Sequence, residues 1–196
     1  MTDASSIPFI LASASPRRKE LLAEAGYKFE IIPAHIDESA FESVGVDSCK
    51  FAETLAFEKA KAIAIKHPDR FVLGADTIVD FQGEIIGKPD DAEHAEEITK
   101  KLFSGIHKVV TALAIVRVSD NTELIASDIT MVHPRKLTPD QIALHIESGS
   151  WKGRAGAYGI RVSGDEFVEK IEGSYTNVVG MPMELFKDML AKITAT

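Results

Sequence analysis

The sequence predicts an α/β fold, or its α+β variant, on one mixed sheet. Three observations lead there. Short apolar runs of strand length alternate with stretches of helical periodicity. Phe71 to Phe81 is followed by Gln82-Gly83 and a returning apolar run, a hairpin signature that adds antiparallel pairing to an otherwise alternating order. The 196 residues contain no internal repeat, low-complexity tract or linker, so a single domain spanning 1–196 is expected.

Phe9-Ile10-Leu11-Ala12 reads as a short buried strand. A helix from Arg17 to Ala25 follows, with Ser15 at the N-cap, Pro16 at the first helical position and Gly26 just past the end. A second strand is expected around Phe29 to Pro33. Phe51, Leu55, Ala56, Ala60 and Ile63 recur at helical spacing between Cys49 and Lys66, and His67-Pro68 stops them. The hairpin comes next, with strands Phe71 to Phe81 and Glu84 to Ile86. Asp90 or Asp91 caps a helix that runs to about Phe103 and ends at Gly105. Val109 to Val118 and Glu123 to Val132 form a strand pair, and Thr138-Pro139 opens a helix that Gly149 closes. A Gly-rich stretch, Trp151 to Gly159, leads to a strand near Glu166 to Ile171, a turn at Gly173 and a last helix from about Met183.

Composition narrows the function. The chain has 30 acidic against 22 basic side chains, a formal net charge of -8, and is 45% hydrophobic. That balance disfavours a broad nucleic-acid grip, which needs excess cations against phosphate. A small polyanion met by a local cluster of positive charge remains open. The one cysteine, Cys49, excludes an intrachain disulfide and a cysteine-based zinc site, and is read as a structural thiol. The N-terminal apolar patch has the wrong flanking charges for a signal peptide, and no apolar stretch approaches the ~20 residues of a membrane span. A cytoplasmic protein is expected.

Ser13-Ala14-Ser15-Pro16-Arg17-Arg18-Lys19 is the most informative local feature. Three cations in the first turn of a helix oppose a macrodipole that is already positive, at about 0.3–1 kcal/mol per exposed charge. An anion there would reverse the sign, held by free backbone N–H groups and the Ser13 and Ser15 hydroxyls. A solvated basic turn balanced by Glu20 and Glu24 is the competing reading. In Val72-Leu73-Gly74-Ala75-Asp76-Thr77-Ile78-Val79 an acid sits inside an apolar strand, which is costly unless it is paired or bound to metal. Gly74 and Ala75 are read as room for a ligand to approach the backbone. Gly87-Lys88-Pro89 is not a P-loop. A two-residue hairpin loop would set Lys88 opposite Thr77, on the other face from Asp76, unless Gly87 and Pro89 end the pairing first. The six histidines show no paired-ligand spacing, and no GxSxG turn exists. Trp151 is read as a packing anchor.

Taken together, LASASPRRKELLAEAG (11–26), IDES (36–39), FEKAKA (57–62), GADTIV (74–79), GKP (87–89), RAGAYGI (154–160) and GSYTNVVGMP (173–182) resemble the Maf family of septum-formation-inhibitor-like nucleoside triphosphate pyrophosphatases. Seven segments in family order, spanning nearly the whole chain, make the resemblance specific. It implies a fold like that of inosine triphosphate pyrophosphatases: a mixed twisted sheet with flanking helices and two lobes around a cleft. It also implies frequent dimerisation, and hydrolysis of a nucleoside triphosphate to the monophosphate and pyrophosphate. By the same resemblance, Ser13, Arg17 and Arg18 contact phosphate, Lys59 and Lys88 are cleft lysines, Glu38 is an acidic site residue and Asp76 the proton acceptor. Arg17 and Thr77 match the pattern of the dTTP/UTP subgroup rather than the 7-methyl-GTP one. The third specificity position is usually Gln but is Arg161 here. A Gln amide donates and accepts, whereas Arg only donates, so the base contact there changes in kind.

The chemistry expected is attack by water on the α-phosphorus. An ordinary aspartate, with a pKa of about 3.9, is too weak a base for free water at about 15.7. Mg²⁺ or Mn²⁺ on Asp76, with Glu38, is therefore expected to bridge to the phosphates while Arg17, Arg18, Lys59 and Lys88 hold the remaining charge. Three alternatives stand beside this: the same chemistry on purine or modified nucleotides, a nucleotide-binding regulator of cell division, and a nucleic-acid-binding module.

Overall fold

The computed structural model describes residues 7–41, 43–160 and 166–194. The chain runs β1 (Phe9–Leu11), α1 (Pro16–Glu24), β2 (Phe29–Ile31), α2 (Ser48–Ala64), β3 (Phe71–Phe81), β4 (Glu84–Ile86), α3 (Ala92–Leu102), β5 (His107–Arg117), β6 (Thr122–Pro134), α4 (Pro139–Glu147), β7 (Val168–Glu172), α5 (Tyr175–Val179) and α6 (Met183–Thr194). Short 3₁₀ turns at Glu38–Ala40 and Ala155–Ala157 complete it. The seven strands form one sheet in the order β2-β1-β3-β5-β6-β7, with β4 paired to β3. β1 is parallel to β2 and β3, and the remaining pairs are antiparallel. This is the mixed α/β architecture that alternating runs and a hairpin predict.

Period-two alternation along β3 sorts its side chains between the two faces. Val72 and Ile78 join Ile10, Val110, Ala112 and Ala114 beneath the alanines of α2. On the opposite face, Leu73 and Ala75 pack with Leu11, Leu22 and Phe186. Val79 and Phe81 are on that same face but belong to a separate core with Leu102, Trp151 and Tyr158. Thr77 falls on the seam between these two cores and is the one half-buried residue of β3. Two cores on one face with a seam between them make the two lobes and their cleft.

The edge of β3 matters as much as its faces. β5 pairs with it continuously from Val72 to Asp80. On the other edge β1 pairs only as far as Leu73, and β4 begins at Val79. The backbone between is left open by both neighbours, and Asp76 and Thr77 lie in that gap. Open α/β sheets bind ligands at such breaks between strands.

Most element ends fall within one or two residues of their sequence signals. Asp91 caps α3, and Thr138 with Gln141 closes a capping box on α4. Trp151 is buried and donates its indole N–H to the Ile146 carbonyl. β2 stops at Ile31, short of Pro33. α5 is a helix that the sequence pattern does not announce. Five residues are too few for helical propensity to sustain alone. α5 forms because buried Asn177 ties it down, donating Nδ2 to the Val109 carbonyl and to Thr130 Oγ1.

Candidate active site

The β1–α1 loop delivers Ser13 to the open edge of β3, where the Ala12 N–H donates to the Leu73 carbonyl at 2.8 Å. Ser15 occupies the N-cap position of α1, but its side chain makes no capping bond, and the first turn holds no acidic residue. The start of α1 thus keeps its partial positive charge.

Arg17 and Arg18 leave this turn for different environments. Arg18 donates Nε–H to the Gly180 carbonyl at 2.7 Å, Nη1 to Ser13 Oγ at 2.9 Å and to the Ala75 carbonyl at 3.0 Å, and Nη2 to Thr77 Oγ1 at 3.0 Å. Four of its five N–H groups are engaged, and one of them satisfies a carbonyl in the β3 gap. Burial lowers its pKa, opposed by the Asp76 charge. Arg17 points elsewhere. Burial and, second, the charge of Arg154 lower its pKa, against Tyr175 and Glu20.

Asp76 is buried at 7% exposure and is paired. Lys59 on α2 donates Nζ to Asp76 Oδ1 at 2.6 Å and reaches Glu38 Oε1 at 2.8 Å, bridging the two carboxylates. The Glu38 carboxyl is held below the usual range. Burial alone would raise it, but the Lys59 hydrogen bond and the charges of Lys59, Lys88 and Arg18 outweigh that. Helix α2 reaches this position because of Gly74. A Cβ there would stand 2.1 Å from the Ala56 carbonyl oxygen and 2.7 Å from the Ala60 nitrogen. The space at Gly74 is therefore filled by α2 itself, which corrects the expectation that it admits a ligand.

The observed hairpin register, Val79 with Ile86, would place Lys88 opposite Thr77 if it continued. Pairing stops at Ile86, and Lys88 enters the cleft from the loop. Gly156, at φ 73°, donates its N–H to the Gly87 carbonyl at 3.1 Å. A Cβ at Gly156 would meet Val79 Cγ2 at 2.9 Å. The Gly-rich loop is thereby pressed onto the end of the hairpin.

The result is a cavity of about 560 Å³ lined by Ser13, Arg17, Arg18, Glu38, Lys59, Asp76, Thr77 and Lys88. Every sequence-derived site residue except Arg161 is there; Arg161 lies outside the described residues. Two more cations line the same cavity, Lys152 and Arg154. Arg154 rests against Gly159, where a Cβ would be 2.3 Å from its Nη1. The signal for both was present in the Lys152-Gly153-Arg154 run, but a basic pair in a Gly-rich loop does not say which way it faces. Six cations now stand against two carboxylates in a chain whose net charge is -8.

As a donor set, Asp76 and Glu38 suit a hard divalent ion that keeps waters and shares phosphate oxygens, the usual coordination of Mg²⁺. Among the described residues no group of three or more His, Cys, Asp or Glu side chains could hold a metal by itself. His145 and His107 are buried in the packing: His145 Nε2 contacts the Ala157 carbonyl at 2.8 Å and His107 Nε2 the Tyr158 hydroxyl at 2.6 Å. Cys49 is half-buried, with its thiol pKa pushed up by burial. Among the described residues, no helix is long and apolar enough to cross a membrane.

Comparison with known proteins gives a consistent picture. The family described as Maf-like protein matches residues 8–193. A dTTP/UTP pyrophosphatase of Ruminiclostridium cellulolyticum is 41% identical over 184 residues, covering 94% of this chain and 95% of that protein. One of Citrifermentans bemidjiense is 44% identical over 186 residues, covering 95% of each. The fold resembles that of the Staphylococcus aureus Ham1 protein, with a TM-score of 0.52 over 96% of this chain and 98% of that one at 10% identity.

Proposed function

Because this chain belongs to the family of Maf-like proteins, we propose that it is a nucleoside triphosphate pyrophosphatase acting on dTTP and UTP. The observation that carries this reading is the convergence of six cations on a cleft holding one buried, lysine-paired aspartate. A triphosphate brings about four negative charges, so its hydrolysis is chiefly a matter of positioning and charge stabilisation. The base class follows the relatives, which are named dTTP/UTP pyrophosphatases.

In this reading Arg17, Lys88, Lys152 and Arg154 hold the phosphates, and the uncapped start of α1 adds backbone N–H groups. Arg18 shapes the cleft more than it grips substrate, because most of its donors are spent on Ser13, Ala75, Thr77 and Gly180. Asp76 accepts the proton of the attacking water at its carboxylate. Lys59, fixed on Oδ1, leaves Oδ2 as the oxygen for that task and keeps Asp76 and Glu38 together despite their like charge. Asp76 and Glu38 would hold Mg²⁺ or Mn²⁺, which acidifies bound water and offsets phosphate charge when present. Water attacks the α-phosphorus, the bond to the bridging oxygen breaks, and pyrophosphate leaves with the nucleoside monophosphate as the other product.

The test is a panel of canonical and modified nucleoside triphosphates with Mg²⁺ or Mn²⁺, scored separately for pyrophosphate and orthophosphate. Pyrophosphate from dTTP and UTP, abolished by EDTA, is expected. Orthophosphate as the first product, or no turnover across the panel, would overturn the assignment.

A further inference from the structure

Two buried histidines from different elements hold consecutive residues of the Gly-rich loop. His145 on α4 has its Nε2 2.8 Å from the Ala157 carbonyl, and His107 on β5 has its Nε2 2.6 Å from the Tyr158 hydroxyl. A carbonyl only accepts, so His145 donates there. A third tie, from the Gly156 N–H to the Gly87 carbonyl, fastens the residue before them. Gly156, Ala157 and Tyr158 are thus each fixed to a separate part of the fold: the end of the hairpin, α4 and β5.

The backbone they fix is one that the loop would not keep unaided. Gly156 stands at φ 73° and Ala157 at φ 62°. Glycine takes the left-handed region freely, but the Cβ of alanine crowds the backbone there. Among the described residues only Gln82 and Asn121 share that conformation without being glycine, and both lie in exposed hairpin turns. Ala157 is wholly buried. Such strain persists only where the surroundings over-determine it. The strained turn also decides where Arg154 points. The Ala157 N–H closes it on the Arg154 carbonyl at 3.1 Å. Two residues on, Gly159 lies against the Arg154 guanidinium, where a Cβ would come within 2.3 Å of Nη1 and 3.0 Å of Cζ. Arg154 and Gly159 both line the cleft. Were Ala157 to relax to negative φ, the chain would leave the turn in another direction, and the backbone against the guanidinium would go with it.

We propose that His145 and His107 are positioning residues: by pinning Ala157 and Tyr158 they hold the strained turn that aims Arg154 into the phosphate-binding cleft. Neither histidine is among the residues lining that cavity, so each acts through the loop. The inference rests on the nucleoside triphosphate reading above for the identity of the anion, and it names what orients one of the cations that meets it.

The test joins a substrate-free readout to a binding one. Trp151, the one tryptophan of the chain, opens the loop and is buried, so its quenching by acrylamide reports on the loop directly. His145→Leu keeps bulk and removes the donor, which leaves the buried Ala157 carbonyl unpaired. Quenching should rise about twofold or more. Calorimetry with α,β-methylene-UTP should show affinity falling by about tenfold. His145→Gln retains an N–H near the Nε2 position and should stay within about threefold of the wild type. Ala157→Gly added to His145→Leu relieves the turn and should recover both readouts, which a local packing defect at His145 would not allow. In an Arg154→Ala chain, His145→Leu should cost less than about threefold further, because both changes act through one guanidinium. Unchanged affinity and quenching in folded His145→Leu overturn the proposal, as does a loss that Ala157→Gly fails to recover. Should His145→Leu not fold, His107→Leu with and without Ala157→Gly decides from the other anchor. Failure to release pyrophosphate while these changes persist would overturn the hydrolase assignment and leave this one standing.

Discussion

Lys59 and Asp76, 17 residues apart, meet at 2.6 Å with both side chains almost wholly buried. Removing Lys59 leaves the buried Asp76 carboxylate without its direct counter-ion, whereas removing Asp76 leaves Lys59 still paired with Glu38. Lys59→Met should cost about 3 kcal/mol, seen as a lower midpoint in denaturant. Lys59→Met combined with Asp76→Asn should recover much of that stability and none of the activity. A double variant as unstable as Lys59→Met alone would show that the ion pair is not the cause.

Asp76→Asn keeps the shape of the side chain and loses its basicity. Turnover should fall by about 10²–10⁴, while the affinity for a non-hydrolysable triphosphate changes by only about threefold. Single-turnover kinetics beside calorimetry separates the two effects. Near-normal turnover would remove Asp76 from the proton-accepting role.

Gly74→Ala tests the contact that brings α2 to the cleft. Its Cβ would meet backbone atoms of Ala56 and Ala60 that cannot swing aside. A loss of about 3 kcal/mol is expected, accompanied by a fall in kcat, because any retreat of α2 carries Lys59 away from Asp76. Unchanged stability would mean that α2 stands further from β3 than the geometry places it.

Arg154→Ala should raise KM for the triphosphate by about tenfold or more with a smaller effect on kcat, and Arg17→Ala likewise. Two guanidinium groups brought within each other's field repel until an anion sits between them. Added salt should weaken substrate binding less in either variant than in the wild type. An unchanged KM in Arg154→Ala would show that this arginine holds only the loop.

His107 supplies the pH dependence. Its Nδ1 faces the Gly105 carbonyl, so Nδ1 carries the hydrogen and Nε2 accepts from the Tyr158 hydroxyl. Burial, larger than the opposing bonds to Gly105 and Leu102, lowers its pKa below the ordinary value of about 6.5. The unfolded chain therefore binds more protons between the folded value and about 6.5. Stability should rise with pH across that window, be fully present above it, and fall as acid is added. In His107→Gln that slope should disappear from denaturant midpoints measured against pH. A slope that persists unchanged would assign it to another group.

Much of this protein is local and therefore legible in its sequence. The alternation of β3, the Gln82-Gly83 turn, the caps at Asp91 and Thr138 and the cationic start of α1 each depend on residues a few positions apart. Hydrophobic periodicity and capping chemistry report such features directly. The seven family segments likewise contain Ser13, Arg17, Arg18, Glu38, Lys59, Asp76, Thr77 and Lys88, all of which line the cleft. α5 escaped because its stability comes from Asn177 reaching β5 and β6, not from its own five residues.

What tertiary structure alone decided is direction. The sequence marked Gly74 as space but could not say that a helix fills it. It placed Arg17 beside Arg18 but could not send one toward Arg154 and the other into four internal hydrogen bonds. It held the Lys152-Gly153-Arg154 run without showing that both cations face the cleft. Nor could it join Thr77 to Thr111, and Thr111 to the Asn177 carbonyl, in one line of hydrogen bonds between residues far apart in the chain. Residue type sets which charges and hydrogen-bonding groups exist. Only the packing of distant segments determines which are already satisfied, and so which remain for a ligand.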